Sequence, residues 1–185
     1  DLMKKLNFFF FIIFLINEIS FINGFCLPGT KKNVDTCTPC PSGTYSSSID
    51  SFTCYDCPAG TYSSFRASQC TKCRDGEYSM LGASNCFSCP PGTYSKSGDS
   101  SCTTCPSGTY SSYMRSSQCT PCEAGSYSSS GSSSFCNSCI SGYYSLSGAS
   151  SCTMCPAGTY SYSRASQCTP CPPGKNSSMG RSFCI

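Results

Sequence analysis

From Cys37 to Cys171 the chain repeats one signal, C-x-x-C, nine times, with pairs beginning at residues 37, 54, 70, 86, 102, 119, 136, 152 and 168. Cys26 stands ahead of the series and Cys184 behind it, so 20 cysteines follow a step of 16 or 17 residues from pair to pair. A short fixed period of this kind marks units that stack on their neighbours because none can bury a core alone. Taking the second cysteine of each pair as origin, with Cys26 as the first, gives ten units: CLPGTKK, CPSGTYS, CPAGTYS, CRDGEYS, CPPGTYS, CPSGTYS, CEAGSYS, CISGYYS, CPAGTYS and CPPGKNS. All ten place glycine three positions on, which predicts a tight turn needing positive φ.

Eight units place tyrosine two residues after that glycine: Tyr45, Tyr62, Tyr78, Tyr94, Tyr110, Tyr127, Tyr144 and Tyr160. The turn is expected to open a short strand, with the ring laid over the neighbouring bridge or turn as a miniature core. An exposed aromatic row for carbohydrate or protein is the alternative. Serine and glycine fill the rest of each loop, so helices are not expected.

What replaces a conventional core follows from composition. Beyond residue 24 there are 13 Leu, Ile, Val and Phe among 161 residues. Alone this would read as disorder, but disorder goes with high net charge, and here seven acidic and ten basic residues nearly cancel. So weak a positive balance gives no case for nucleic acid. At the N-terminus, Lys4 and Lys5 precede an apolar run, Leu6 to Ile16, that Asn17 and Glu18 interrupt, with Gly24 as a small residue for cleavage. Residues 1–24 thus read as a signal peptide and 25–185 as the mature chain. The run is shorter than the roughly 20 apolar residues that span a bilayer, and no second one follows, so membrane attachment is expected only through a segment absent from this chain. Dense cysteine behind an export signal points to a disulfide scaffold, secreted or at the cell surface, in which bridges stand in for the missing core.

Twenty cysteines permit very many connectivities. If every unit is built alike, the second cysteine of one pair meets the first of the next: Cys26–Cys37, Cys40–Cys54, Cys57–Cys70, Cys73–Cys86, Cys89–Cys102, Cys105–Cys119, Cys122–Cys136, Cys139–Cys152, Cys155–Cys168 and Cys171–Cys184. A crossed scheme, such as 26–40 with 37–54, also uses every cysteine but makes successive units unequal. Each sequential loop of about 15 residues carries roughly 3 kcal/mol in the chain-entropy model.

A longer rhythm lies above the first. Arg66, Arg115 and Arg164 are each 49 residues apart, in R-x-S-Q-C endings that also space Gln69, Gln118 and Gln167 by 49. A copied block of three units explains this; a row of arginines facing an acidic partner is the functional alternative.

Catalytic chemistry finds little to use. The chain has no histidine, and none of its serines sits in G-x-S-x-G, so hydrolytic triads are not expected. The acids are dispersed, and Asp75-Gly76-Glu77 reads as a solvated turn. Four-thiolate zinc sites fit the C-x-x-C spacing but need reduced thiolates, and a thioredoxin-like motif would occur once on a strand-to-helix turn rather than nine times. Neither cofactor nor metal is expected. Asn176-Ser177-Ser178 is an N-glycosylation sequon, in the last unit, where asparagine replaces tyrosine.

The units CPAGTYS and CPPGTYS followed by C-x-x-C resemble the ephrin-receptor-like (GCC2/GCC3) cysteine-rich repeat and are similar to the first loop of tumour necrosis factor receptor modules. The likeness spans Cys26 to Cys184. It implies extracellular, β-rich, disulfide-linked segments that act in spacing, adhesion or ligand contact; with the sequential bridges, the expectation is a small disulfide-rich β and irregular fold, an elongated rod of about ten stacked repeats, and an extracellular spacer or adhesion role with a protein or glycan partner. A ligand-binding receptor ectodomain or decoy is the second reading, with Arg66, Arg115 and Arg164 as partner contacts, and a zinc-binding protein the third.

Overall fold

The computed structural model describes Phe21–Ile22 and residues 25–185. Apart from the strand Phe21–Ile22, which pairs with Phe25–Cys26, the expected signal peptide lies outside the described residues. Among the described residues every regular element is a β-strand of two or three residues, and no helix is long and apolar enough to cross a membrane.

The repeat is one turn, one hairpin and one bridge. In the second repeat Pro41 and Ser42 lead into Gly43, whose φ of 88° is the left-handed value the turn demands, and the Thr44 amide closes it on the Pro41 carbonyl at 3.1 Å. Strand Thr44–Tyr45 then pairs antiparallel with Tyr55–Asp56, Tyr45 opposite Tyr55. The same pairing recurs at Thr61–Tyr62 with Thr71–Lys72 and at Thr159–Tyr160 with Thr169–Pro170, and runs longest at Thr30–Lys32 with Cys37–Pro39. A lone two-stranded hairpin is marginal in water. Here each is stapled: ten disulfides join Cys26–Cys37, Cys40–Cys54, Cys57–Cys70, Cys73–Cys86, Cys89–Cys102, Cys105–Cys119, Cys122–Cys136, Cys139–Cys152, Cys155–Cys168 and Cys171–Cys184, with Cα–Cα distances of 5.5 to 5.8 Å. Every one closes the loop between adjacent C-x-x-C pairs.

The chain forms two compact units, one made of the described residues up to Cys73 with Tyr78–Phe87 and Gly98–Ser101, the other of Arg74–Glu77, Ser88–Ser97 and Cys102–Ile185. In the first, repeats are tied by backbone bonds: Gly43 donates to the Ser63 carbonyl, and Arg66 to the Cys40 carbonyl, both at 2.9 Å. Contact also reaches one repeat further. A Cβ on Gly43 would overlap the Gly82 carbonyl, whose carbon lies 2.9 Å from that position. The second unit repeats the arrangement, with Gly125 donating to Ser145 and facing the Arg164 carbonyl. The glycine therefore serves both a left-handed turn and a close backbone approach. That second role extends stacking beyond nearest neighbours.

The interior is not aromatic. Among the described residues the buried side chains are the leading cysteines, from Cys26 to Cys155, Thr30 and Ser126, and the serine two residues beyond the strand-opening position: Ser46, Ser63, Ser79, Ser95, Ser111, Ser128, Ser145, Ser161 and Ser177. The eight tyrosines are only half-buried. The expected miniature core of rings is thus corrected: a ring is too large to enter so tight a stack, whereas a hydroxymethyl fits and finds an acceptor. A buried hydroxyl without one would cost about 1–3 kcal/mol. Ser63 donates to the Thr44 carbonyl of the preceding repeat at 2.9 Å, Ser79 to Thr61 at 2.9 Å, Ser161 to Tyr143 at 3.0 Å and Ser177 to Thr159 at 2.7 Å.

Loop length selects that acceptor. Ser63, Ser79, Ser95, Ser145, Ser161 and Ser177 stand in loops whose cysteines are 13 apart, and all six donate to the preceding repeat. Ser46, Ser111 and Ser128 stand in loops whose cysteines are 14 apart, and they donate within their own loop, to Ser48, Tyr113 and Ser130 carbonyls. One additional residue at the loop tip turns the hydroxyl from a tie between repeats into a tie within one.

Candidate interaction surface

Four positions before the closing cysteine, each loop from the second repeat on adopts positive φ: Asp50, Arg66, Gly82, Gly98, Arg115, Ser132, Gly148, Arg164 and Gly180. Glycine occupies this place in four repeats and arginine in three. The backbone sets the requirement, since the amide here donates to the leading cysteine of the preceding repeat, as Arg115 does to the Cys89 carbonyl and Arg164 to the Cys139 carbonyl, each at 2.9 Å.

The arginines thus mark a structural corner, and their side chains differ. Arg115 forms an ion pair with Glu77, whose side chain is largely buried while that of Arg115 is about half exposed. Glu77 is the one acid at a strand-opening position, so the pair draws Arg115 back onto its own stack. Arg66 is half-buried and Arg164 exposed. Asp50, at the same corner, accepts from the Cys26 amide at 2.8 Å and pairs with Lys32 at 3.0 Å. Those hydrogen bonds, the backbone one first, hold its carboxyl below the usual value.

Immediately before the corner, loops carry apolar side chains into solvent. Phe65 is 60%, Tyr113 80% and Tyr162 70% exposed, and Ile49, Leu81, Met114, Leu146 and Met179 share this placement at loop tips. Asn176, the sequon residue, is also exposed. Its backbone exchanges two bonds with Ile185, both at 2.9 Å, and its side-chain oxygen accepts from the Ser177 amide at 2.8 Å.

A family model described as tyrosine-protein kinase ephrin type A/B receptor-like matches residues 29–73, 76–117 and 142–183, more than half of the chain. This chain belongs to the ephrin-receptor-like family. The three matched segments open on Gly29, Gly76 and Gly142, the turn glycine of their repeats. Ephrin-receptor-like repeats with this density of bridges are extracellular in type. No curated protein matches the chain.

Two features escaped reading by residue type. The serine core recurs in nine of ten ephrin-receptor-like repeats, one fewer than the glycine, and that regularity was its signal. The corner occupied by the arginines could have been found by aligning loops on their closing cysteine, which puts Gly82, Gly98, Gly148 and Gly180 at the same place.

Proposed function

We propose that the chain is a non-enzymatic extracellular or cell-surface structural protein, a disulfide-stapled spacer whose successive repeats offer weak, multivalent contacts. The observation that carries this reading is the uniformity of the repeat: the same turn, bridge and buried serine recur, and the variable apolar residues stand at exposed tips. Exposed apolar side chains are spread from Ile49 to Met179. Multivalent adhesion uses such repetition, since many weak contacts multiply when their carriers are held at fixed intervals.

The test is the dimension of the secreted, oxidised protein. Small-angle scattering on chains of five and ten repeats should give a maximum dimension that grows with repeat number at constant cross-section. A compact particle whose radius follows the packing of a globular domain would refute the spacer.

The receptor or decoy reading draws support from Phe65, Tyr113 and Tyr162, each exposed within two residues of an arginine. Arg66→Gly, Arg115→Gly and Arg164→Gly together remove the charge while keeping the left-handed corner, which alanine would strain. Loss of binding to an acidic polysaccharide such as heparin would favour this reading; unchanged binding would remove it.

A further inference from the structure

The repeats serve as internal controls for one another: those starting at Cys73, Cys122 and Cys139 depart from the common pattern at two positions, and the last does so with an aliphatic and an aromatic side chain. Proline follows the leading cysteine in six of ten repeats, and threonine opens the strand in six. Each of those threonines donates its hydroxyl to the carbonyl three residues back, as Thr61 does to Pro58 and Thr159 to Pro156, both at 2.7 Å. In the repeat that starts at Cys139, isoleucine and tyrosine stand there instead. Tyr143 has no hydroxyl in position for that local bond, although its amide still donates to the Ile140 carbonyl at 3.2 Å. The repeat forgoes a recurrent turn-closing contact and gains two large side chains.

Both line the same cleft. An open depression of about 300 Å³ is bounded by Tyr127, Ser138, Ile140, Tyr143, Ser151 and Cys152. Its volume is at the small end of ligand-binding cavities. Tyr127 and Ser138 belong to one hairpin and Tyr143 to the next, so the cleft runs between consecutive stapled repeats. Two of the lining positions are serines, Ser138 and Ser151, where the two following repeats carry Met154 or Pro170 and Gln167 or Phe183. Ile140 is 69% exposed at the rim.

We infer that this cleft is a binding site for a neutral saccharide. The lining offers two tyrosine rings, aliphatic surface and hydroxyls, and contains no ionisable group that is charged at neutral pH. That set matches a pyranose, whose C–H face packs on an aromatic ring while its hydroxyls exchange bonds with tyrosine and serine. A sulfated or uronic-acid chain would find no cation in the lining. The site adds a ligand to the chain independently of whether the chain serves as a spacer.

The experiment uses the whole oxidised chain and saturation-transfer NMR with four probes: cellohexaose, chitotetraose, a linear mannan oligosaccharide and heparin. At least one neutral probe is expected to bind with a Kd of about millimolar strength. Tyr143→Thr and Ile140→Pro install the residues found in most other repeats, so both keep the fold, and each should weaken that binding at least about tenfold. Leu146→Ser, at an exposed loop tip, should leave it unchanged. The inference is overturned if no neutral probe binds at about ten times that concentration, if only heparin binds, if a leucine-rich peptide occupies the cleft in preference to sugar, or if Tyr143→Thr binds as the unaltered chain does.

Discussion

Gly43 and Gly174 have nearly the same backbone, φ 88° and 81°, and different surroundings. A Cβ on Gly174 would meet nothing within 4 Å, while one on Gly43 would run into the Gly82 backbone carbonyl from two repeats on. Replacing each with alanine therefore separates two costs that coincide at most repeats. Gly174→Ala carries only the left-handed strain of an L-residue, about 1–2 kcal/mol. Gly43→Ala carries the same strain and must also displace a packed backbone group, an overpacking cost of about 1–3 kcal/mol more. Repeat arrays need not unfold in one step, so a local assay is required. Native-state hydrogen exchange at the amide of the left-handed corner supplies one, since opening free energies differ along a chain. In Gly43→Ala the Gly82 amide, which donates to the Cys57 carbonyl at 2.8 Å, should exchange about 10- to 100-fold faster, whereas Gly174→Ala should leave it unaffected. Equal losses of stability in the two variants, or a larger one in Gly174→Ala, would refute the claim that the glycine is needed for close approach as well as for φ.

Other outcomes follow from the same geometry. Ser63→Ala strands the Thr44 carbonyl of the preceding repeat and should cost about 1 kcal/mol, read as faster exchange across that junction; Ser111→Ala, whose hydroxyl bonds within its own loop, should leave the junction unchanged. Asp50 has its carboxyl pKa lowered in the fold, so the stability it contributes is present above the unfolded value of about 3.9 and is lost as pH falls through the lower folded value. Titration of the Cys26 amide by NMR from neutral to acid pH should show that loss, and Asp50→Asn should flatten it. Graded dithiothreitol should abolish the hairpins as bridges are reduced, since about 3 kcal/mol per loop is withdrawn from a chain with so little apolar burial; circular dichroism unchanged after full reduction would contradict this.

The positions of cysteine and glycine were legible because their geometry leaves few options: a bridge needs two sulfurs a loop apart, and positive φ in a tight turn selects glycine. The buried serines were hard to see, since a hydroxyl group reads as surface until its acceptor is known, and the acceptor, such as the Thr44 carbonyl for Ser63, lies in another repeat. Tyrosine misled for the opposite reason. Its apolar area suggests an interior place, but a ring such as Tyr45, tilted against Tyr55 at 6.2 Å between centroids, covers the hairpin from outside. The arginine row was visible as spacing, while the left-handed corner it occupies, which also accepts glycine, aspartate and serine, needed the backbone. Likewise nothing in the isolated words CEAGSYS and CISGYYS foretold that Tyr127 of the first and Ile140 and Tyr143 of the second share one cleft.

The glycine facing a carbonyl from two repeats on has a consequence for biogenesis. A bridge spans only 11 to 14 residues, so thiols can meet as soon as a single loop has reached an oxidising surrounding. The niche over Gly43 stays open until the segment around Gly82 arrives. Oxidation should therefore run ahead of consolidation as the chain folds, leaving a zone at the growing end that is already cross-linked yet still loosely settled, and it is there that a disulfide isomerase would have the longest opportunity to correct a mispaired loop.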